Sequence, residues 1–363
     1  MNSKATVGIR AATFADADAI SQLQKRNGMG DLDQAAWRSQ WEAYPFETEF
    51  RDIPIGWVLE TDQGSVVGNL DNIHTLYQMG ERRLKGVVAA NWTVDADYRG
   101  KSLQLMTTFF RQKGVDLWLN VSASPAAAQI LTAFKIARIP IPDYGTPCFW
   151  AVRPRAFAYA ALRRRGTPAA NILAWPAGLA LATCDLFRGS GRGRLTSHVR
   201  RLPSFDDRFD PFLQANGVAT RLRAARNRAV LEWRFRSEFR RGRAAILAAE
   251  QGPTLLGYAI LVRRDGSEYG MDLFDVADLQ ATADDPSTIR DLLLGSIKVA
   301  REEGADAVKF MSGTPSKRGP AVSLAPNTYQ SPLWQQYFRT SSPELAAELS
   351  SANAWDFSRF DIF

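Results

Sequence analysis

Apolar and polar positions alternate between two periods through the first half of the chain. Residues 7–10 alternate as a short strand, and 15–24 follow with helical spacing. Asp16 and Asp18 fall in the first turn of that helix, where they suit its dipole. A tryptophan-rich stretch comes next (Trp37, Trp41, Tyr44-Pro45-Phe46). Residues 57–60 and 65–68 then read as a hairpin closed by Thr61 to Gly64. The long apolar run 84–94 predicts a strand, Asp97-Tyr98-Arg99-Gly100-Lys101-Ser102 a tight polar turn, and Leu103 onward a helix to about Lys113. Residues 117–121 form an apolar strand. Residues 125–138 read as a helix opened by Ser124 and Pro125, and 148–152 as the last strand of this half.

The second half repeats the order more weakly. Residues 244–250 and 257–262 pair as a hairpin around Gln251-Gly252-Pro253; 269–276 is a strand, 287–302 a helix and 307–311 a strand. Residues 232–239 (EWRFRSEF) alternate like a solvated strand. No basic glycine turn follows the 269–276 run. The residues after it include Asp278, Asp284 and Asp285, which read as an acidic loop that would repel a pyrophosphate. The pattern is a tandem duplication: a first unit over residues 1–155, a basic and apolar linker over 156–205, and a second, degenerate unit over 206–363. The fold class expected is α/β of the α+β type, each unit a mixed, mostly antiparallel twisted sheet flanked by helices.

Composition changes this picture in three places. With 363 residues, 45% hydrophobic and 23% charged, the chain suits two cores of ordinary size. Two cysteines, Cys148 and Cys184, and two histidines, His74 and His198, offer neither a disulfide framework nor a metal set. No apolar signal core opens the sequence, so a cytoplasmic location is expected. The net charge of +7 concentrates in arginine-rich blocks at 153–165, 188–201 and 221–243, which could meet nucleic acid, anionic lipid or acidic substrates; no specific nucleic acid is expected, and peripheral membrane contact through the arginines stays open. Residues 166–184 carry no charge but are rich in Ala, Gly and Pro. They read as an inter-domain helical linker, kinked near Pro176 and packing its leucines between the two units, rather than as a membrane span.

The chemistry points to residues 91–110. A strand, a basic turn with Gly100, and a helix start aim unpaired N–H groups and positive charge at one place, which makes an anion site. Gly100-Lys101-Ser102 ends like a nucleotide P-loop, but Asp95 stands where that loop needs its first glycine. The run resembles instead the pyrophosphate loop of the GNAT (GCN5-related) N-acetyltransferase superfamily. Val94, Tyr98, Arg99, Gly100 and Lys101 stand in register with that loop, with departures at Ser102 and Gln104. The resemblance covers roughly residues 7–152, and the weaker repeat makes the chain a tandem of GNAT-like domains. It implies acetyl-CoA or another acyl-CoA as co-substrate, held by Trp92, Thr93, Val94, Arg99, Gly100, Lys101, Ser102 and Leu103. It also implies a small-molecule amine as acceptor, such as an amino sugar or a cell-envelope precursor. Where the family carries a tyrosine that protonates the departing thiolate, the alignment places Leu131, which has no proton to give.

Direct transfer needs a group to take the amine proton. Glu47, Glu49, Asp71 and His74 are the candidates; His74, with a pKa near operating pH, is chemically the most suited, but the sequence does not choose among them. Three other readings stay open: a non-catalytic acyl-CoA-binding or partner-binding protein, an aminoacyl-tRNA-dependent transferase, and a basic nucleic-acid-binding protein.

Overall fold

A computed structural model describes residues 6–29, 33–215, 220–267, 270–329 and 334–362. Two mixed, mostly antiparallel sheets flanked by helices carry the molecule. In spatial order the first sheet runs Val7–Ala11, Gly56–Thr61, Val66–Met79, Arg82–Val94, Leu117–Ala123, Gln335–Thr340 and Ala137–Arg138. The second runs His198–Leu202, Ala244–Gln251, Thr254–Arg264, Leu273–Ala281, Ala307–Phe310, Cys148–Ala151 and Asn327–Thr328. The two orders correspond strand by strand. In each, the fourth and fifth strands are the parallel pair and the other neighbours are antiparallel.

The sixth strand of each sheet comes from the other half of the chain. Cys148–Ala151, expected to close the first unit, pairs with Ala307–Phe310 in the second sheet. Gln335–Thr340, from the C-terminal half, pairs with Leu117–Ala123 in the first. An apolar tetrapeptide such as CFWA is a strand in either sheet. Its partner depends on contacts far away in sequence, which periodicity does not register.

Other elements also depart from the pattern. Residues 228–240 form a helix rather than a solvated strand: Asn227 caps it by accepting from the Val230 N–H at 2.9 Å, and Val230, Leu231 and Phe235 share its buried face. Several arginines of this block are engaged within the fold. Arg236 donates to the Ser39 and Glu42 carbonyls, and Arg226 is buried against Asp278 at 3.1 Å. The helix after Ser124 stops at Ala133. The strand read from Tyr269, which lies outside the described residues, starts at Leu273 and continues to Ala281, so Asp278 is a buried strand residue and not part of a loop.

The linker forms a helical hairpin, Pro154–Arg164 with Ala170–Arg188. The second helix runs on through Pro176. Its small residues Ala170, Ala174 and Gly178 pack on the first helix, and a Cβ on Gly178 would come within 2.7 Å of the Arg155 Cα. Leu179, expected between the units, is 72% exposed. Close approach of two helices favours a seam of small residues, and that turns the larger side chains outward.

Candidate functional site

The parallel pair of the first sheet separates along its length. Gly86, Val87 and Val88 register with Leu117, Trp118 and Leu119, and the ladder then ends. Beyond it, residues 89–94 and 120–123 diverge and leave one edge of each strand without a strand neighbour. Buried backbone donors and acceptors need partners, so an open edge facing a cleft is a place where a ligand completes the pairing.

A cleft of about 1260 Å³ fills that opening. Small-molecule sites run to about 300–1,000 Å³, so this one has room for a long ligand or for two ligands. One wall holds Ala89, Ala90, Asn91 and Trp92, and the facing wall holds 120–124 together with Ala127 and Ile130 of the helix that Ser124 caps. A β-bulge shapes the first wall: Asn69 pairs with Thr93 and Asp71 with Ala90, so two residues, Asn91 and Trp92, stand opposite Leu70. Asn91 takes φ +48°, a left-handed conformation that asparagine accepts more readily than most residues. The Trp92 Nε1–H is buried and has no hydrogen-bond partner among the described residues.

The turn after this strand is helical. A 3₁₀ segment, Ala96–Lys101, leads directly into the helix Ser102–Arg111, and the Ser102 N–H donates back to the Arg99 carbonyl. Fewer N–H groups are therefore left for an anion than a plain loop would leave. Of the residues expected to hold coenzyme A, Trp92, Val94, Arg99, Ser102 and Leu103 line the cleft. Thr93 is buried and donates to the Asn91 carbonyl, while Gly100 and Lys101 are exposed on the turn, off the cleft wall. Asp95, which would oppose an anion, is tied to Arg26 at 2.7 Å and to Asn27 at 2.7 Å.

The candidate bases do not meet at the cleft. His74 stacks on Phe50 with 4.8 Å between ring centroids, and its Nε2 lies 3.2 Å from the Pro54 carbonyl. Burial pushes its pKa down to about 4, so it is a neutral core imidazole. Glu49 is ion-paired with Arg83. Asp71 is fully buried and accepts from Asn91 at 2.7 Å, Asn69 at 2.9 Å and Trp37 at 3.0 Å. Burial pushes its carboxyl up to about 6, against the lowering effect of those three donors. It reaches the cleft only through Asn91, whose orientation it fixes.

Sequence reasoning missed the wall contributed by the second half, where Arg243, Arg264, Asp265, Asp275, Lys309 and Arg359 line the same cleft. Asp275 is 2% exposed, lies 3.1 Å from Lys309 and 3.6 Å from Arg359, and its Oδ1 has no hydrogen-bond partner among the described residues. The signal was present: a lysine inside AVKF and an aspartate inside LFDV are charges in otherwise apolar strands. Leu131 is buried in the core; the tyrosine among the residues lining the cleft is Tyr144, whose ring packs on Phe357.

No family model matches the chain, and no curated protein matches it by sequence. Solved structures do. A GCN5-related N-acetyltransferase from Anabaena variabilis aligns over 93% of this chain and 73% of its own, at 11% identity and a TM-score of 0.57. One from Kribbella flavida aligns over 93% and 71%, at 16% identity and a TM-score of 0.55. The N-myristoyltransferase of Saccharomyces cerevisiae, solved with bound myristoyl-CoA and inhibitors, aligns over 93% and 81%, at 10% identity and a TM-score of 0.56.

The fold is that of the GCN5-related N-acetyltransferases. Within it, the second half has the same parallel pair, Leu273–Ala281 with Ala307–Phe310, registered only as far as Val276 and Phe310. Its opening is filled by protein. Lys317, 1% exposed, donates to Asp356 at 2.6 Å and to Gln280 at 3.1 Å, and Asp278 is held by Arg226 and by the Tyr258 hydroxyl at 2.8 Å. The C-terminal segment bonds across the gap through the Gly313 N–H to the Phe357 carbonyl at 2.9 Å. Asp284 is paired with Arg221, and Asp285 caps the helix Pro286–Glu302. These acidic groups serve the fold and do not form an exposed loop.

Proposed function

We propose that the protein is an N-acyltransferase that moves an acyl group from acyl-CoA to a small amine by direct attack. The observation that carries this reading is one cleft that joins the open edge beside Asn91 and Trp92, the Arg99 turn, and a charged wall from the second half. In the reaction the amine nitrogen bonds to the thioester carbon, the carbon–sulfur bond breaks, and the proton lost by the amine ends on the departing thiolate. The backbone of the bulged edge supplies donors for the oxyanion. Arg99 meets the coenzyme phosphates. Asp275 is the carboxylate we assign to hold Lys309 and Arg359 on the cleft wall, and Tyr144 the hydroxyl we assign to the thiolate. The second-half wall, with Arg164, carries five cations (Arg164, Arg243, Arg264, Lys309, Arg359) against two lining carboxylates (Asp265, Asp275) and Glu238, which meets Arg264 at 3.5 Å. That excess suits an acceptor that bears an anionic group besides its amine.

The test is thiol release. Purified protein is offered acyl-CoAs from acetyl to myristoyl with amines that do and do not carry a carboxylate or phosphate. Melting curves with each acyl-CoA are recorded in parallel. Release that depends on an anionic amine supports the assignment. A melting shift without thiol release indicates an acyl-CoA-binding protein with no chemistry, and no shift with any acyl-CoA refutes both readings.

A further inference from the structure

The helical hairpin has an outer face that none of the described residues covers. Along the helix Ala170–Arg188, residues 172, 175, 179 and 186 fall on one side at helical spacing, opposite the seam of small residues. Ile172 is 67% exposed, Trp175 62%, Leu179 72%, Leu186 52% and Phe187 85%. Scattered apolar residues are ordinary on a surface, but a contiguous stripe of large ones marks a binding face. Charge says what binds there. Between Arg153 and Arg201 stand ten arginines and one acidic residue, Asp185, which is paired with Arg188; Arg153, Arg200 and Arg201 are met by Asp306, Glu250 and Glu303 elsewhere in the fold. Exposed Arg163 and Arg165 precede the stripe, and exposed Arg192 and Arg194 follow it.

We infer that this face docks on an anionic lipid surface, with the helix lying in the plane of the interface. An apolar stripe bracketed by arginines is the pattern of a helix whose side chains enter the acyl boundary while its flanks meet acidic headgroups. Trp175, with the Arg155 guanidinium 3.8 Å from its ring centroid, suits the interface itself. The helix is long and apolar enough to cross a membrane, by length and composition. Both of its ends are nevertheless held to the same folded body. Arg164, just before it, stacks over Tyr329 at 4.5 Å, and the Gly191 N–H, just after it, donates to the Leu324 carbonyl at 2.9 Å. A spanning helix would carry those ends to opposite sides of the bilayer. The hairpin also supplies Arg164 to the cleft wall, which brings the cleft to the lipid surface.

The experiment is co-sedimentation of the full chain with vesicles of phosphatidylcholine alone and of phosphatidylcholine mixed equally with phosphatidylglycerol. Binding to the mixed vesicles, weak on the neutral ones and released in about 1 M salt, is expected. Leu179→Glu lowers that binding about tenfold or more without shifting the melting temperature, since the side chain is exposed. Arg163→Ser lowers it about fivefold, the equivalent of about 1 kcal/mol. Absence of binding to either vesicle overturns the proposal, as does binding that Leu179→Glu leaves unchanged. Retention that only detergent reverses identifies a span instead. Self-association abolished by Leu179→Glu, without vesicle binding, identifies a second copy as the occupant. None of these readouts depends on acyl-CoA, so the proposal fails or stands apart from the acyltransferase reading.

Discussion

At the scale of single residues, the site depends on a backbone conformation held by a buried carboxylate. Asp71 grips Asn91 at 2.7 Å, and Asn91 keeps its left-handed φ at the bulge that aims Trp92 into the cleft. Asn91→Gly keeps that conformation available, whereas Asn91→Val forces a β-branched residue into it, at about 1–3 kcal/mol. Urea unfolding of the two variants should differ by that amount; equal midpoints would mean the bulge is not under this constraint. Arg99→Glu places a negative charge where the coenzyme phosphates are proposed to lie. Wild-type protein at a hundredfold excess over the dissociation constant should gain about 2.7 kcal/mol, and the variant nothing. His74 gives a prediction with a definite sign. Its folded pKa, about 4, lies below the ordinary 6.5, so its contribution is present in full above pH 6.5 and is lost as pH falls toward 4. The stability advantage of wild type over His74→Phe should therefore shrink through that window by up to roughly 1.4 kcal/mol per pH unit. A difference independent of pH would show that His74 is not buried neutral.

At the scale of elements, the strand, basic turn and helix of residues 84–111 were legible because their signal is local: an apolar run, a glycine turn, then helical spacing. The cleft beside them was half legible. Its first-half wall follows from the strand before the turn, but Asp275, Lys309 and Arg359 come from strands and a tail whose proximity only the fold creates. Asp278 was misread as a loop residue for the same reason. A lone aspartate argues against a buried strand unless its partners, here Arg226 and Tyr258, are known. The filled opening of the second sheet can be tested through Lys317. Lys317→Met leaves the buried Asp356 without its closest cation, at 2.6 Å, and should cost about 3–5 kcal/mol. Calorimetric titration of the wild type should saturate at one coenzyme per chain, because the second splay is occupied by Lys317 and the C-terminal segment. Two equivalent sites would contradict that account.

At the scale of the whole molecule, the exchanged strands decide how the halves behave. Gln335–Thr340 covers the edge of Leu117–Ala123, and Cys148–Ala151 covers that of Ala307–Phe310, so neither sheet is complete within its own half of the sequence. A duplication is readable from repeated periodicity, but the exchange is not, because the swapped strands have the same pattern in either location. The energetic consequence follows from the edges. A fragment of residues 1–205 would expose the backbone groups of Leu117–Ala123 and leave Phe338, 3% exposed in the full chain, out of the first core. We expect that fragment to aggregate when expressed alone and to be recovered as a soluble complex when residues 206–363 are co-expressed. The full chain, despite its two sheets, should unfold in a single calorimetric transition whose van't Hoff and calorimetric enthalpies agree, since neither core can open without removing a strand from the other. Two resolved transitions, or a folded and soluble fragment of residues 1–205, would show that the exchanged strands do not couple the halves.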